Sequence, residues 1–343
     1  MALHDQPAPA SATETAKVVR GKDGWLFLDN DRNQVMRQHS GDLRFSPKQL
    51  NDWQRVLETR AGWLAERGAR HHFLVPPDSQ SVYPEKLPDS VRPKRERPVL
   101  QLIRHLEDER SPASIIYPVE ALRRQRSRHV YAQTETHWTE LGAYVAYLEL
   151  MKELIRDQDL RVLTEEELAL VDHASIGDLG WRVDPPQQST QTYVTVREPR
   201  ARLSADNRIY NNGRRIEFEC AAAPSLGCLV YGDSFAVYLL QLLCESFSRL
   251  VFAHIPTLDR QLVEEVQPDV VVGALNERFV ITIPFDEGAR SLADWEAEKR
   301  ALGLVYPPPP FGEQGTRVDS SVPPGGWPED YGVDASCNPF DVR

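Results

Sequence analysis

The sequence predicts an α/β protein in which a parallel sheet is flanked by helices in a three-layer sandwich, with an inserted polar subdomain. Three observations predict it. Short apolar runs of strand length alternate with helical segments between residues 226 and 275 in a β-α-β-α-β pattern. The 343 residues supply ample material for a core. A composition of 41% hydrophobic and 27% charged residues is ordinary for a globular chain.

Taken in order, residues 1–20 form a polar, Pro/Ala-rich arm expected to be flexible, and residues 21–28 give a turn and a short strand. A helix is predicted over 46–67. Ser46 suits its cap, Pro47 its first turn, and Leu50, Trp53, Val56, Leu57 and Leu64 recur at helical spacing. A buried strand over 72–75 stops at Pro76-Pro77, a helix covers 98–109, and a strand over 114–117 stops at Pro118. Thr139 can cap a helix over 139–157. The polar stretch 159–219 is the expected insertion, with strand-like pieces such as 192–196. Strands over 226–231, 249–253 and 269–275 then alternate with helices over 236–247 and 258–266. The catalytic domain is therefore placed at 21–300, followed by a Pro/Gly-rich tail over 301–343 that contains the run Pro307 to Pro310.

A net charge of −11 argues against a nucleic-acid surface. The basic cluster of Arg123, Arg124, Arg126 and Arg128 fits a solvated helix end better than a binding patch. No run of about 18 apolar residues occurs, so no transmembrane segment is expected. Residues 1–17 lack the apolar core of an export signal. The expected compartment is the cytoplasm, or the periplasm if an export segment has been removed. Cys220, Cys228, Cys244 and Cys337 form no CxxC pair and match no zinc module. Cys228 and Cys244 lie in apolar runs and are expected as buried thiols. No P-loop, GxGxxG or HExxH motif appears, so neither a cofactor nor a metal is expected.

The chemistry concentrates in two segments. In Tyr231-Gly232-Asp233-Ser234-Phe235 an apolar strand ends in a turn and a helix begins at once. Such a turn can set a serine hydroxyl at the carboxyl edge of a parallel sheet, where helix N–H groups can hold an oxyanion. Asp233 or Ser234 could equally serve only as a helix cap. A serine nucleophile needs a base. Of the nine histidines, His137 stands out in Gln133-Thr134-Glu135-Thr136-His137-Trp138-Thr139, with Glu135 two residues before it. In extended backbone both side chains point the same way, and a carboxylate can orient the imidazole and stabilise its cation. His254, at the end of a strand, is the reserve. Glu135 and His137 as metal ligands lack a third partner in the sequence.

Together these segments resemble the SGNH-hydrolase-like domain of the alginate O-acetyltransferase family, AlgX and AlgJ and their relatives. The resemblance spans about residues 20–285. It rests on Gly21-Lys22-Asp23-Gly24-Trp25-Leu26-Phe27, on Val75 through Pro88, and on Thr134-Glu135-Thr136-His137-Trp138 with Gly142-Ala143. It rests also on Tyr231 through Phe235, Pro268-Asp269-Val270-Val271 and Glu277-Arg278-Phe279. It implies an SGNH/flavodoxin-like sheet, a triad of Ser234, His137 and Glu135, and a circularly permuted order with the histidine segment first. It also implies an acyl donor and a hydroxyl acceptor as partners, and Ser234 and Asn276 as oxyanion candidates. Arg278, Tyr131 and Trp138 are the substrate-binding candidates. The chain departs from the family pattern in carrying Glu135 where Asp is usual, Asp78-Ser79 where Asn-Lys is frequent, and no glycine between Phe235 and Val272. The expected activity is O-acetyl transfer to a hydroxyl of a sugar or small metabolite through an acyl-serine. Acyl-ester cleavage by the same residues is the first alternative. A non-catalytic glycan-binding or scaffold protein on the same fold is the second.

Overall fold

The computed structural model describes residues 18–29 and 31–306. Its strands are β1 (Val18–Arg20), β2 (Leu26–Leu28), β3 (Arg70–Leu74), β4 (Ile115–Ile116), β5 (Leu168–Ser175) and β6 (Ser189–Val196), followed by β7 (Arg202–Asp206), β8 (Arg215–Glu219), β9 (Gly227–Gly232), β10 (Arg249–His254) and β11 (Val270–Ala274). Its helices are α1 (Val35–His39), α2 (Pro47–Ala65), α3 (Ser79–Val82), α4 (Pro98–Asp108), α5 (Val119–Arg124), α6 (Glu140–Leu154), α7 (Ser234–Leu243), α8 (Arg260–Val266) and α9 (Leu292–Ala301).

The central sheet has seven strands in the order β4-β3-β11-β9-β10-β8-β7. The pairings from β4 to β10 are parallel, and β8 and β7 add antiparallel to the β10 edge. The β-α-β-α-β run therefore forms as expected, as β9-α7-β10-α8-β11. From β9 the chain goes by α7 to β10 on one side, then by α8 past β9 to β11 on the other. The carboxyl end of β9 is thus a topological switch point, where open α/β sheets place their ligand crevices.

Side-chain alternation along the strands makes the three layers. Cys228, Val230, Leu250, Phe252, Val270 and Val272 share a buried cluster with residues of α6 and α7. Leu229, Tyr231, Val251, Ala253 and Val271 share another with Leu262 and Val263 of α8 and Leu64 of α2. Trp53 and Leu57 of α2 pack with Leu102 and Leu106 of α4 and with Phe73 of β3. Helix α2 starts as its sequence suggests: Ser46 accepts from the Gln49 N–H in a full capping box, with Pro47 in the first turn. Thr139 caps α6 by accepting from the Gly142 N–H at 3.1 Å.

Three segments differ from expectation. Residues 18–20 are not part of a flexible arm but strand β1, paired antiparallel with β2; residues 1–17 lie outside the described residues. The polar stretch 159–219 divides in two. Strands β5 and β6 make a separate two-stranded sheet, whereas β7 and β8 belong to the central sheet. Ile216 and Phe218 of β8 point into the core while their neighbours carry charge, the alternation of a strand near a sheet edge. Of the expected tail, Val305 bridges to Ile209 and Tyr306 packs against Tyr210 with the rings tilted and their centroids 3.9 Å apart. The proline run and Cys337 lie outside the described residues. Cys220, Cys228 and Cys244 are buried free thiols. The basic cluster is tied down by Arg123 donating twice to the Ser81 carbonyl and by Arg128 pairing with Glu165.

Candidate active site

Ser234 is the first residue of α7, directly beyond the end of β9. Two features fix it there. A Cβ on Gly232 would lie 1.9 Å from the Ala274 carbonyl oxygen, so the close approach of β9 to β11 requires glycine at this position. Asp233 then caps the helix, its Oδ1 accepting from the Phe235 N–H at 2.9 Å while Oδ2 accepts from the Asn276 N–H at 2.6 Å. One carboxylate therefore joins the start of α7 to the chain leaving β11. Burial pushes the Asp233 carboxyl up to about 6, against the pull of the Asn276 and Phe235 N–H groups and Arg278.

His137 comes from the loop between α5 and α6. Tyr131 and Trp138 bridge across that loop, and the Thr139 N–H donates to the Val130 carbonyl at 3.0 Å. His137 Nε2 lies 2.7 Å from Ser234 Oγ, and His137 Nδ1 lies 2.8 Å from Glu135 Oε1. Phe235 and Tyr238 of α7 lie against the imidazole at centroid distances of 4.9 and 5.7 Å, which limits its rotation. Glu135 Oε1 also accepts from the backbone N–H groups of Thr136 and His137 at 3.1 and 3.2 Å, and Oε2 from the Asp178 N–H at 3.1 Å. Burial alone would raise the Glu135 carboxyl. The His137 hydrogen bond and charge, with the Asp178 side chain and then its N–H, outweigh it and hold the group below the usual carboxylate range. Burial likewise disfavours the imidazolium, yet Glu135 and then Asp178 hold the His137 ring above its ordinary value.

Asp178 is the residue that sequence reasoning missed. It sits in the expected insertion, and nothing in its spacing ties it to Glu135 some 43 residues earlier. The local signal is Gly177-Asp178-Leu179-Gly180, a turn with two glycines. A Cβ on Gly177 would meet the Thr134 carbonyl oxygen at 2.2 Å, so glycine lets this turn lie flat on the histidine loop. Asp178 Oδ1 accepts from the Thr136 N–H at 2.8 Å and Oδ2 from the Thr136 hydroxyl at 2.7 Å. Burial first, and the Glu135 charge second, push the Asp178 carboxyl well above the ordinary range.

The other expected residues fall elsewhere. Tyr131 and Trp138 are each 1% exposed, so neither presents a face to a ligand as a substrate-binding residue would. Trp138 packs edge-on to Phe235, and the Tyr131 hydroxyl donates to the Pro77 carbonyl. Asn276 is fully buried in the capping role. Its Nδ2 donates one N–H to the Pro76 carbonyl at 3.1 Å and its Oδ1 accepts from the Arg278 N–H at 3.3 Å, so these contacts hold the amide in the turn after β11. Arg278 is also buried. Its guanidinium lies over Phe235 and Phe279 and reaches Asp78 at 3.4 Å, so the aspartate at the departure from the family pattern faces an arginine. His254 is 7% exposed at the end of β10, and burial brings it down to about 3.

Among the described residues, two groups of histidine and carboxylates come close enough to share an ion: Glu135, His137 and Asp178, and His39, Asp78 and Glu277. The structure thus supplies the third partner that the sequence lacks, but the lone pairs are already used. Three N–H groups and the imidazole serve Glu135, and Thr136 serves both oxygens of Asp178. Glu277 accepts from Arg97, Tyr117, Ser81 and the Asp78 N–H. These donor sets fit carboxylates held by protein hydrogen bonds rather than metal ligands.

Among solved structures, the fold is similar to Bacillus cereus PatB1, with a TM-score of 0.60 at 13% identity over 78% of this chain and 100% of that one. The O-acetyltransferase domain of Pseudomonas putida AlgJ gives a TM-score of 0.53 at 17% identity, over 82% of this chain and 99% of that one. A DHHW family protein from Eubacterium siraeum gives 0.54 at 14% identity, over 77% and 95%. At such identities the likeness is one of fold. No curated protein matches the chain significantly in sequence. No helix among the described residues is long and apolar enough to cross a membrane. The family model for the SGNH hydrolase-like domain of acetyltransferase AlgX matches residues 18–213, a span that holds Glu135 and His137 and ends before Ser234. The resemblance in the sequence motifs and the match over more than half of the chain agree: this protein belongs to the AlgX family of SGNH hydrolase-like acetyltransferase domains.

Proposed function

We propose that the protein is a serine-dependent O-acyltransferase that moves an acetyl group to a hydroxyl of a sugar or small metabolite. The observation that carries the proposal is the unbroken relay from Ser234 Oγ through His137 to Glu135, with contacts of 2.7 and 2.8 Å. His137 Nε2 takes the Ser234 proton as Oγ attacks the carbonyl carbon of the acyl donor. Nδ1–H stays hydrogen-bonded to Glu135, whose charge stabilises the imidazolium. The donor's leaving group departs with the proton from Nε2, and Ser234 carries the acyl group. The acceptor hydroxyl then gives its proton to His137 Nε2 and attacks the acyl-serine; the acyl–Oγ bond breaks and Nε2 returns that proton to Oγ, which restores free Ser234 and neutral His137.

Ser234 opens α7, so its N–H belongs to the helix end whose backbone donors have no partner within the helix. That N–H is the donor we assign to the oxyanion, with the N-terminal dipole of α7 behind it. Glutamate in place of aspartate fits the same role, because three backbone N–H groups fix its longer side chain.

Hydrolysis of the same acyl-serine is the alternative, with water in place of the acceptor. Product analysis with p-nitrophenyl acetate, with and without a panel of sugar and small-alcohol acceptors, separates the two. Acetylated acceptor formed by wild type and absent with Ser234→Ala supports transfer. Acetate alone under every acceptor supports hydrolysis, and equal turnover by Ser234→Ala refutes both.

A further inference from the structure

We propose that Asp178 is a positioning residue that supplies a second negative charge to His137, sharing with Glu135 the stabilisation of the imidazolium. Its chemical role rests on the Ser234–His137 reading above. Asp178 and the histidine loop hold each other reciprocally. Thr136 donates its N–H and its hydroxyl to the two oxygens of Asp178, and the Asp178 N–H donates to Glu135 Oε2. One ligand-type atom from each of Glu135, His137 and Asp178 falls within 4.8 Å of the others. Two carboxylates this close repel; burial and the Glu135 charge push the Asp178 carboxyl up to about 7, and a proton on the nearby imidazole favours its ionised form. That proton is the one His137 takes from Ser234. Asp178 forms and breaks no bond in the reaction; it acts by its charge and by fixing Thr136, next to His137.

Glu135 and Asp178 both favour the imidazolium, and Arg278 opposes it. His137 in turn favours ionised Asp178 and Asp233. His254 lies further along the sheet end, where the His137 charge disfavours its own protonation. Arg182 donates to the Asp178 backbone carbonyl at 3.2 Å and so steadies the turn. A purely structural clamp would need only the acceptors for Thr136. The proposal needs the charge.

Asp178→Asn separates these roles, because asparagine keeps the size and one acceptor for Thr136 while removing the charge. The test is an NMR titration of the His137 ring in the full chain, with isotope-labelled histidine, in wild type and D178N. The expected result is a D178N midpoint about one pH unit lower, the low end of the effect of an opposite charge at about 4–6 Å. The acid limb of kcat/KM for p-nitrophenyl acetate should move with it, and the plateau rate should fall about tenfold. An identical His137 midpoint in the two proteins overturns the proposal. Should D178N fail to fold, Thr136→Val removes one donor from Asp178. It is expected to lower the midpoint by a smaller amount, and a wild-type midpoint there overturns the proposal equally. The titration requires no turnover. Failure of a fluorophosphonate to label Ser234 therefore sinks the nucleophile assignment and leaves the charge coupling to be judged by the midpoint.

Discussion

Gly232→Ala tests how the sheet aims the proposed nucleophile. The new Cβ would stand 1.9 Å from the Ala274 carbonyl oxygen, whereas real Cβ contacts essentially never fall under 3.0 Å. Strand β9 must therefore move by about 1.1 Å relative to β11, the difference between those two distances. The Asp233 N–H, which donates to the same carbonyl at 3.2 Å, and the Asn276 N–H bond to Asp233 both lie on the path of that shift. Overpacking in a filled interior costs about 1–3 kcal/mol. A misplacement of about 1 Å at a reacting group costs on the order of 10²-fold in rate. Urea unfolding gives the stability loss, and p-nitrophenyl acetate turnover gives the loss in kcat/KM. We expect the activity to fall by about two orders of magnitude, far more than the change in folded fraction accounts for. Activity within about twofold of wild type, with unfolding altered by less than about 0.5 kcal/mol, would refute the reasoning that Gly232 sets the position of Ser234.

Other substitutions probe separate parts of the account. Glu135→Gln keeps an acceptor near His137 Nδ1 but removes the charge, and kcat/KM should fall by about 10²–10⁴-fold; a loss of less than threefold, roughly, would contradict the assigned role. His254 is buried neutral and held down to about 3 against an ordinary 6.5. The unfolded chain therefore binds a proton that the native state refuses between those values, and this contribution to stability is lost as pH falls through the window. His254→Gln should flatten the slope of unfolding free energy near pH 5 by about 1.4 kcal/mol per pH unit, and an unchanged slope argues against a buried neutral imidazole. Ser46→Ala removes the capping box of α2 and should cost about 0.5–2 kcal/mol in urea unfolding without changing activity per folded molecule.

What could be seen in the sequence follows a physical line. Local rules placed α2 and α6, because Ser46, Pro47 and Thr139 act within one turn of their own helix. The β9-α7-β10-α8-β11 run was visible because strands buried on both faces are continuously apolar. Strands β7 and β8 were hidden among polar residues, because near a sheet edge only one face needs to be apolar. That Ser234, His137 and Glu135 come within hydrogen-bond reach was legible through a turn, a two-residue spacing and a family pattern. Asp178 had none of these signals; only the fold brings Gly177-Asp178 onto Thr136. Tyr131 and Trp138 were misassigned because aromatic residues beside a reactive histidine serve equally well as core, and here they bury the base of the loop. For Asn276 the sequence showed the position beyond the right strand but not the contacts to Pro76 and Arg278 that hold its amide.

The central claim is that Ser234 becomes acylated with His137 as its base. The most direct measurement is intact-protein mass spectrometry with peptide mapping after brief exposure to a fluorophosphonate. The account predicts a single adduct on Ser234 in wild type, none in Ser234→Ala, and labelling of His137→Ala slowed by at least about 10²-fold. An adduct that maps elsewhere, or a His137→Ala rate equal to wild type, would contradict it.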